Sequence, residues 1–160
     1  MKLPQLTLGK DTSDNLASVD ANGWYPISVL LEAMERIDTK LGVEGLRQMG
    51  RLLFKLSHEQ RVAPKSAREV IEGLDAMYHH ANRGDGIGGW RVVLFEPGLA
   101  HLEKTTPHHC AMEEGIVGAA LQAAGAPCTI KQTRCMRTGS DHCLFVINSV
   151  ITDHRWMGGP

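Results

Sequence analysis

All four cysteines of this chain fall between positions 110 and 143. Cys135 and Cys143 flank the turn Met136-Arg137-Thr138-Gly139-Ser140-Asp141-His142. Cys110 follows the run Pro107-His108-His109, and Cys128 closes Gly125-Ala126-Pro127-Cys128. Thiolates gathered in this way are ligands for a metal ion, zinc first among them. Two alternatives stay open: a redox pair, and plain packing of cysteine as a small buried hydrophobe. The spacing is not a CxxC…CxxC pattern and does not choose among the three. If the turn centres on Gly139, Cys135 and Cys143 are cross-strand neighbours on one face, their Cβ atoms about 4.5–5.5 Å apart. Cys128 precedes Cys135 by an odd offset, which sets it on the opposite face unless a bulge intervenes. Cys110, opening a helix that must pack on the sheet, meets no such objection. His109 beside Cys110 and His142 beside Cys143 would supply nitrogen donors.

The elements that must position these side chains are legible in the periodicity. Pro26 suits a first helical position. Ile27, Leu30, Leu31, Met34, Ile37 and Leu41 then recur at helical spacing up to Gly42. A second helix follows directly, with the stripe Val43, Leu46, Met49, Leu53 and Phe54. Pro64 breaks the pattern, and Ser66 with Glu69 makes a capping box for a third helix carrying Val70, Ile71, Leu74, Met77 and Tyr78. The loop Asn82 to Gly89 holds four glycines but lacks the Lys-Ser/Thr ending of a phosphate loop, and a strand follows it rather than a helix. Trp90 to Phe95 and Leu99 to Thr106 read as a hairpin. Residues 110–124 read as a helix whose Gly115, Gly118, Ala119 and Ala120 permit close packing on a sheet. Ile130 to Met136 and Cys143 to Val150 form a last hairpin. Helices followed by β-β-α-β-β predict an α+β domain, its N-terminal helices packed on an antiparallel sheet. Residues 1–23 read as an N-terminal arm, 24–150 as one domain and 151–160 as a tail.

Composition narrows the function classes. A net charge of −1 gives no basic excess for nucleic acid. No apolar run approaches the roughly 20 residues that span a bilayer, and the first residues are too polar for a secretory signal. A cytoplasmic location is therefore expected, with no membrane partner. In a reducing compartment, clustered cysteines favour metal or thiol chemistry over structural disulfides.

The stretch from Gly125-Ala126-Pro127-Cys128 through Arg134-Cys135-Met136-Arg137-Thr138-Gly139-Ser140-Asp141-His142-Cys143-Leu144-Phe145-Val146 resembles the closing motif of the 4-vinyl reductase domain family. Trp24-Tyr25-Pro26, Gly88-Gly89-Trp90 and Pro107-His108-His109-Cys110 agree with it, so the resemblance spans residues 24–150. It implies a fold like that of the vesicle-tethering (TRAPP) small subunits and the haem-nitric-oxide sensors. It implies a bacterial small-molecule-binding sensory module, dimeric through its early helices. Zinc-binding relatives use three cysteines, matched here by Cys110, Cys135 and Cys143, and a carboxylate at the position of Gln132. That departure leaves two alternatives: a fourth ligand among His109, His142, Cys128 and Glu113, or a metal that is weakly bound or absent. Trp90 matches a pocket tryptophan of aromatic-sensing relatives. Phe54, Met77 and Phe95, with Met49, complete the expected wall by hydrophobic position.

A sensory binding module is thus the first expectation, holding a small hydrophobic or aromatic ligand beside a structural zinc site and signalling to a separate partner protein. No serine nucleophile motif, phosphate loop or paired catalytic carboxylate argues for an enzyme. A haem or other tetrapyrrole protein is the alternative, with His58, His101 and His109 as reachable histidines. A dimeric scaffold or interaction subunit is a further alternative.

Overall fold

A computed structural model describes residues 23–62 and 65–158. The expected arm, apart from Gly23, and the expected break at Pro64 lie outside the described residues. Helix α1 spans Ile27–Ser57 and bends at Gly42, whose φ of 66° and ψ of −173° interrupt the helical path. A positive φ is open to glycine at little cost. The two helices read from the sequence are therefore the two arms of α1, joined without a loop. Short helices α2 (Glu59–Val62) and α3 (Ala67–Glu72) follow. Ser66 accepts from the Glu69 backbone N–H while the Glu69 carboxylate accepts from that of Ser66, the reciprocal cap expected from the sequence. Gly73 divides the expected third helix, so that Leu74, Met77 and Tyr78 belong to α4 (Leu74–Ala81).

Four strands form one antiparallel sheet in the order β1-β2-β4-β3: β1 Trp90–Glu96, β2 Leu99–Lys104, β3 Cys128–Arg134 and β4 Cys143–Ser149. Helix α5 (Cys110–Ala123) joins the two hairpins. The α+β order expected from the sequence is the observed one. On the inner face, Ala100 and Leu102 of β2 and Phe145 and Ile147 of β4 are buried with Val117, Ala120 and Leu121 of α5. A second buried cluster, Met34, Ile37 and Leu46 of α1 with Ala111 and Met112 of α5, joins those two helices, and burial in both stabilises by about 25 cal/mol per Å² of apolar surface.

Two β-bulges set which side chains share that face. One lies between Val92 and Leu94, the other between Gln132 and Arg134. Each inserts an extra residue and reverses the alternation beyond it.

Of the small residues of α5, Ala120 and Gly118 face the sheet as expected, whereas Gly115 serves a different partner. A Cβ at Gly115 would sit 2.1 Å from the Arg47 carbonyl oxygen, and one at Gly50 would sit 1.9 Å from that of Met112. Gly115 therefore lets helix approach helix, and Gly50 answers it from α1. Arg47 Nε donates to Glu114 Oε1 at 2.8 Å across the same crossing. Beyond residue 150, α6 (His154–Met157) carries a fully buried Trp156 whose Nε1 donates to the Glu96 carbonyl at 2.8 Å.

Candidate metal centre and ligand cavity

Three of the four cysteines converge. Cys110 is the first residue of α5, Cys143 the first of β4, and Cys135 the extended residue that follows β3. The Cys110 Sγ lies 3.3 Å from Cys143 Sγ and 3.8 Å from Cys135 Sγ. A tetrahedral zinc with Zn–S bonds of about 2.3 Å separates its sulfurs by about 3.8 Å, so the spacing suits such an ion. The turn between the strands is built to hold this arrangement. Thr138 and Ser140 donate backbone N–H groups to the Cys135 carbonyl, Gly139 adopts a φ of 95°, and the Met136 N–H donates to Cys143 Sγ at 3.2 Å. All four cysteines are free thiols. Burial pushes the Cys110 thiol up to about 12. Burial also raises Cys135, but the Arg137 backbone N–H and the side chains of Cys110, Gln132 and Cys143 outweigh it, and the net shift is downward.

Cys128 faces the same side of β3 as Cys135, because the bulge at Thr133 cancels their odd offset. It lies outside the cluster for another reason: it pairs with Ser149 at the far end of the strand, about 20 Å away at roughly 3.3 Å per residue. The same bulge brings Gln132 onto the inner face. Its side chain approaches Cys110 and Cys135 closely enough to favour their thiolates, yet its Nε2 is buried without a hydrogen-bond partner of normal geometry.

The histidines beside the cysteines are otherwise engaged. His109 caps α5, its Nδ1 accepting the Ala111 N–H at 3.2 Å, while its Nε2 faces Asp38 at 3.5 Å. Burial lowers its pKa, with Arg137 adding to the effect, consistent with a neutral ring that accepts. His142 points its Nδ1 at Asp141, 2.6 Å away, and its Nε2 towards Glu103. Among the described residues, Cys110, Cys135 and Cys143 form the group of metal-ligating side chains drawn close enough to share an ion.

A cavity of ≈ 240 Å³ lies between α1, α4 and α5 and the start of the sheet. Phe54, Met77 and Trp90 line it, together with Leu53, Ile116 and Val117. Phe95 does not. The bulge at Val93 turns it to the inner face, but at the other end of β1, where it stacks on Trp156 with ring centroids 5.3 Å apart and carries Arg68 on its ring, 4.7 Å from the centroid. Met49 packs elsewhere, against the Met34–Met112 cluster.

The polar side of the cavity was not anticipated. His108 and Glu113 both line it. Glu113 accepts from Lys104 Nζ and from Thr106 Oγ1, and its carboxylate lies 3.5 Å from His108 Nδ1. His108 Nδ1 faces this carboxylate and is the donor nitrogen of the ring. The other ring nitrogen, Nε2, is buried and unpartnered. Alternation could have flagged Lys104: it shares the inward parity of Ala100 and Leu102 on β2.

Residues 96–149 match the family model of the 4-vinyl reductase domain, a stretch running from the end of β1 through β4 and holding all three clustered cysteines. No curated protein matches the chain. Among solved structures, a variant of the H-NOX protein from S. oneidensis in the Fe(II) ligation state is similar with a TM-score of 0.68 at 17% identity, covering 92% of this chain and 90% of that one. The Fe(II) unliganded H-NOX protein from K. algicida is similar with a TM-score of 0.64 at 12% identity, covering 88% and 87%. At these identities the likeness is one of fold. This chain resembles the 4-vinyl reductase domain family over residues 96–149, and its described residues have the fold of the H-NOX proteins.

Proposed function

We propose that this chain is a small-molecule-binding sensory module, its ligand held in the cavity beside Trp90 and its last hairpin pinned by zinc. The observation that carries the reading is the cavity itself. Its ≈ 240 Å³ and mainly apolar lining suit a small, largely hydrophobic ligand. A dry cavity of about 150 Å³ already admits benzene, so a substituted single aromatic ring is within its size. The unpartnered His108 Nε2 supports a ligand with one hydroxyl or amine to donate. Zinc held by Cys110, Cys135 and Cys143 would tie the β3–β4 hairpin to the first turn of α5, three residues before Glu113. Isothermal titration with a panel of phenols tests the reading. Micromolar binding that His108→Phe weakens supports it, and no binding by any member of the panel overturns it.

Haem is a second reading, favoured by the H-NOX fold and by the same free nitrogen of His108. A tetrapyrrole needs the upper part of the roughly 300–1,000 Å³ range of ligand pockets, so the cavity does not accommodate it as it stands. Helices α1 and α4 would have to part. A Soret band in the purified protein, or its appearance on adding haem, decides the point.

We further propose that the module passes its signal to a separate partner protein. Val29, Leu30, Leu52 and Leu56 are exposed along α1, which supports a homodimer built on that helix. Light scattering on the eluted protein reads its mass directly.

A further inference from the structure

Resting on the reading of the three cysteines as metal ligands, we propose that their metal keeps one exchangeable position beside Gln132. That position would admit a small donor with a sulfur or nitrogen lone pair.

The donor count comes first. Three sulfurs converge, and the side chains that might complete a tetrahedron have other partners. His109 is held by the Ala111 N–H and faces Asp38, and His142 faces Asp141 and Glu103. Glu113 is bound by Lys104 and Thr106. Cys128 is at the distant end of β3.

Gln132 supplies the second, independent observation. The bulge sets it on the inner face opposite Phe145, two residues along β4 from Cys143. A neutral amide is not among the usual zinc donors, and Gln132 Nε2 is buried without a hydrogen bond of normal geometry. Buried polar groups are rarely left so. A lone-pair ligand on the metal would give this N–H its acceptor. Access is uneven in the same sense: Cys110 and Cys143 are buried, whereas Cys135, next to Gln132, is partly exposed.

In the exchange, a water held at the open position would leave as the incoming lone pair binds, and an incoming thiol would give its proton to solvent. No oxidation state changes. The centre would then report small thiols or imidazoles, a role that a closed four-ligand site cannot perform.

Cobalt(II) in place of zinc makes this visible. The cobalt-loaded full chain should show sulfur-to-cobalt charge transfer, and its d–d bands should shift saturably on titration with 2-mercaptoethanol and with imidazole. Gln132→Glu supplies a carboxylate at the position and should reduce the shift at least tenfold. Gln132→Ala should keep both the charge transfer and the shift. Charge transfer with d–d bands that neither probe moves would overturn the open position while sparing the metal reading. Loss of charge transfer in Gln132→Ala would also overturn it, by making Gln132 a ligand. Absence of charge transfer in the unaltered chain would remove the metal reading and this inference with it.

Discussion

Lys104 and Glu113 form an ion pair with both side chains buried, 1% and 4% exposed. Lys104 lies directly across the sheet from Cys143, and Glu113 sits one turn into the helix that Cys110 begins. The pair therefore joins the cavity, which Glu113 lines, to the cysteine cluster. Breaking a buried pair by removing one partner leaves an uncompensated charge and costs about 3–5 kcal/mol. Lys104→Met alone should lower the unfolding free energy by about that much in a denaturant titration. Lys104→Met combined with Glu113→Leu should recover most of the loss.

The same carboxylate gives a pH dependence of known sign. Burial alone would raise the Glu113 pKa, but hydrogen bonding to His108 and the charge of Lys104 more than reverse it, holding the group below its ordinary value of 4.5. A depressed folded pKa contributes stability above the unfolded value and loses it as pH falls through the folded one. Thermal scans from pH 7 to pH 3 should show stability falling once the pH drops below about 4.5. Glu113→Gln should be less stable at neutral pH and flatter in that acid window.

Glycine substitutions separate close approach from mere smallness. Gly115→Ala and Gly50→Ala drive a methyl into facing backbone, and overpacking of this kind costs about 1–3 kcal/mol. At Gly118 the nearest atom to an added Cβ is Ile130 Cδ1, at 3.6 Å. Gly118→Ala should therefore be neutral or stabilising by up to about 1 kcal/mol through helix propensity. Denaturant midpoints of the three variants check the ordering.

Metal content should follow the cluster and not the cysteine count. Cys110→Ser, Cys135→Ser and Cys143→Ser should each lose most of the bound zinc in metal analysis. Cys128→Ser should retain it. Adding a chelator to the unaltered protein should speed amide exchange first in the Cys135–Cys143 turn, whose hydrogen bonds converge on the cysteines.

Ligand binding should depend on Trp90 and Met77 but not on Phe95. Met77→Trp fills the cavity and should weaken a bound phenol by about tenfold or more, equivalent to about 1.4 kcal/mol. Phe95→Leu should leave affinity unchanged by calorimetry while lowering stability, because it removes the stack on Trp156.

Much of this molecule follows from local pattern. Helical spacing around Gly42, the Ser66–Glu69 cap and the change to strand after Gly89 dictated the elements and their α+β order, because each depends on residues close in sequence. Proximity of Cys135 and Cys143 followed from a hairpin turn for the same reason. Face alternation beyond a bulge did not. Thr133 and Val93 carry no mark that distinguishes them from regular strand residues, since a bulge arises from how two strands meet. Only the tertiary structure, through those bulges, set Gln132 and Cys128 on the cysteines' side of the sheet and Phe95 against Trp156. It alone chose the partner of Gly115, a helix and not the sheet. It also revealed the buried Lys104–Glu113–His108 group, for a charge on an inward strand position is stable only when a distant residue arrives to neutralise it.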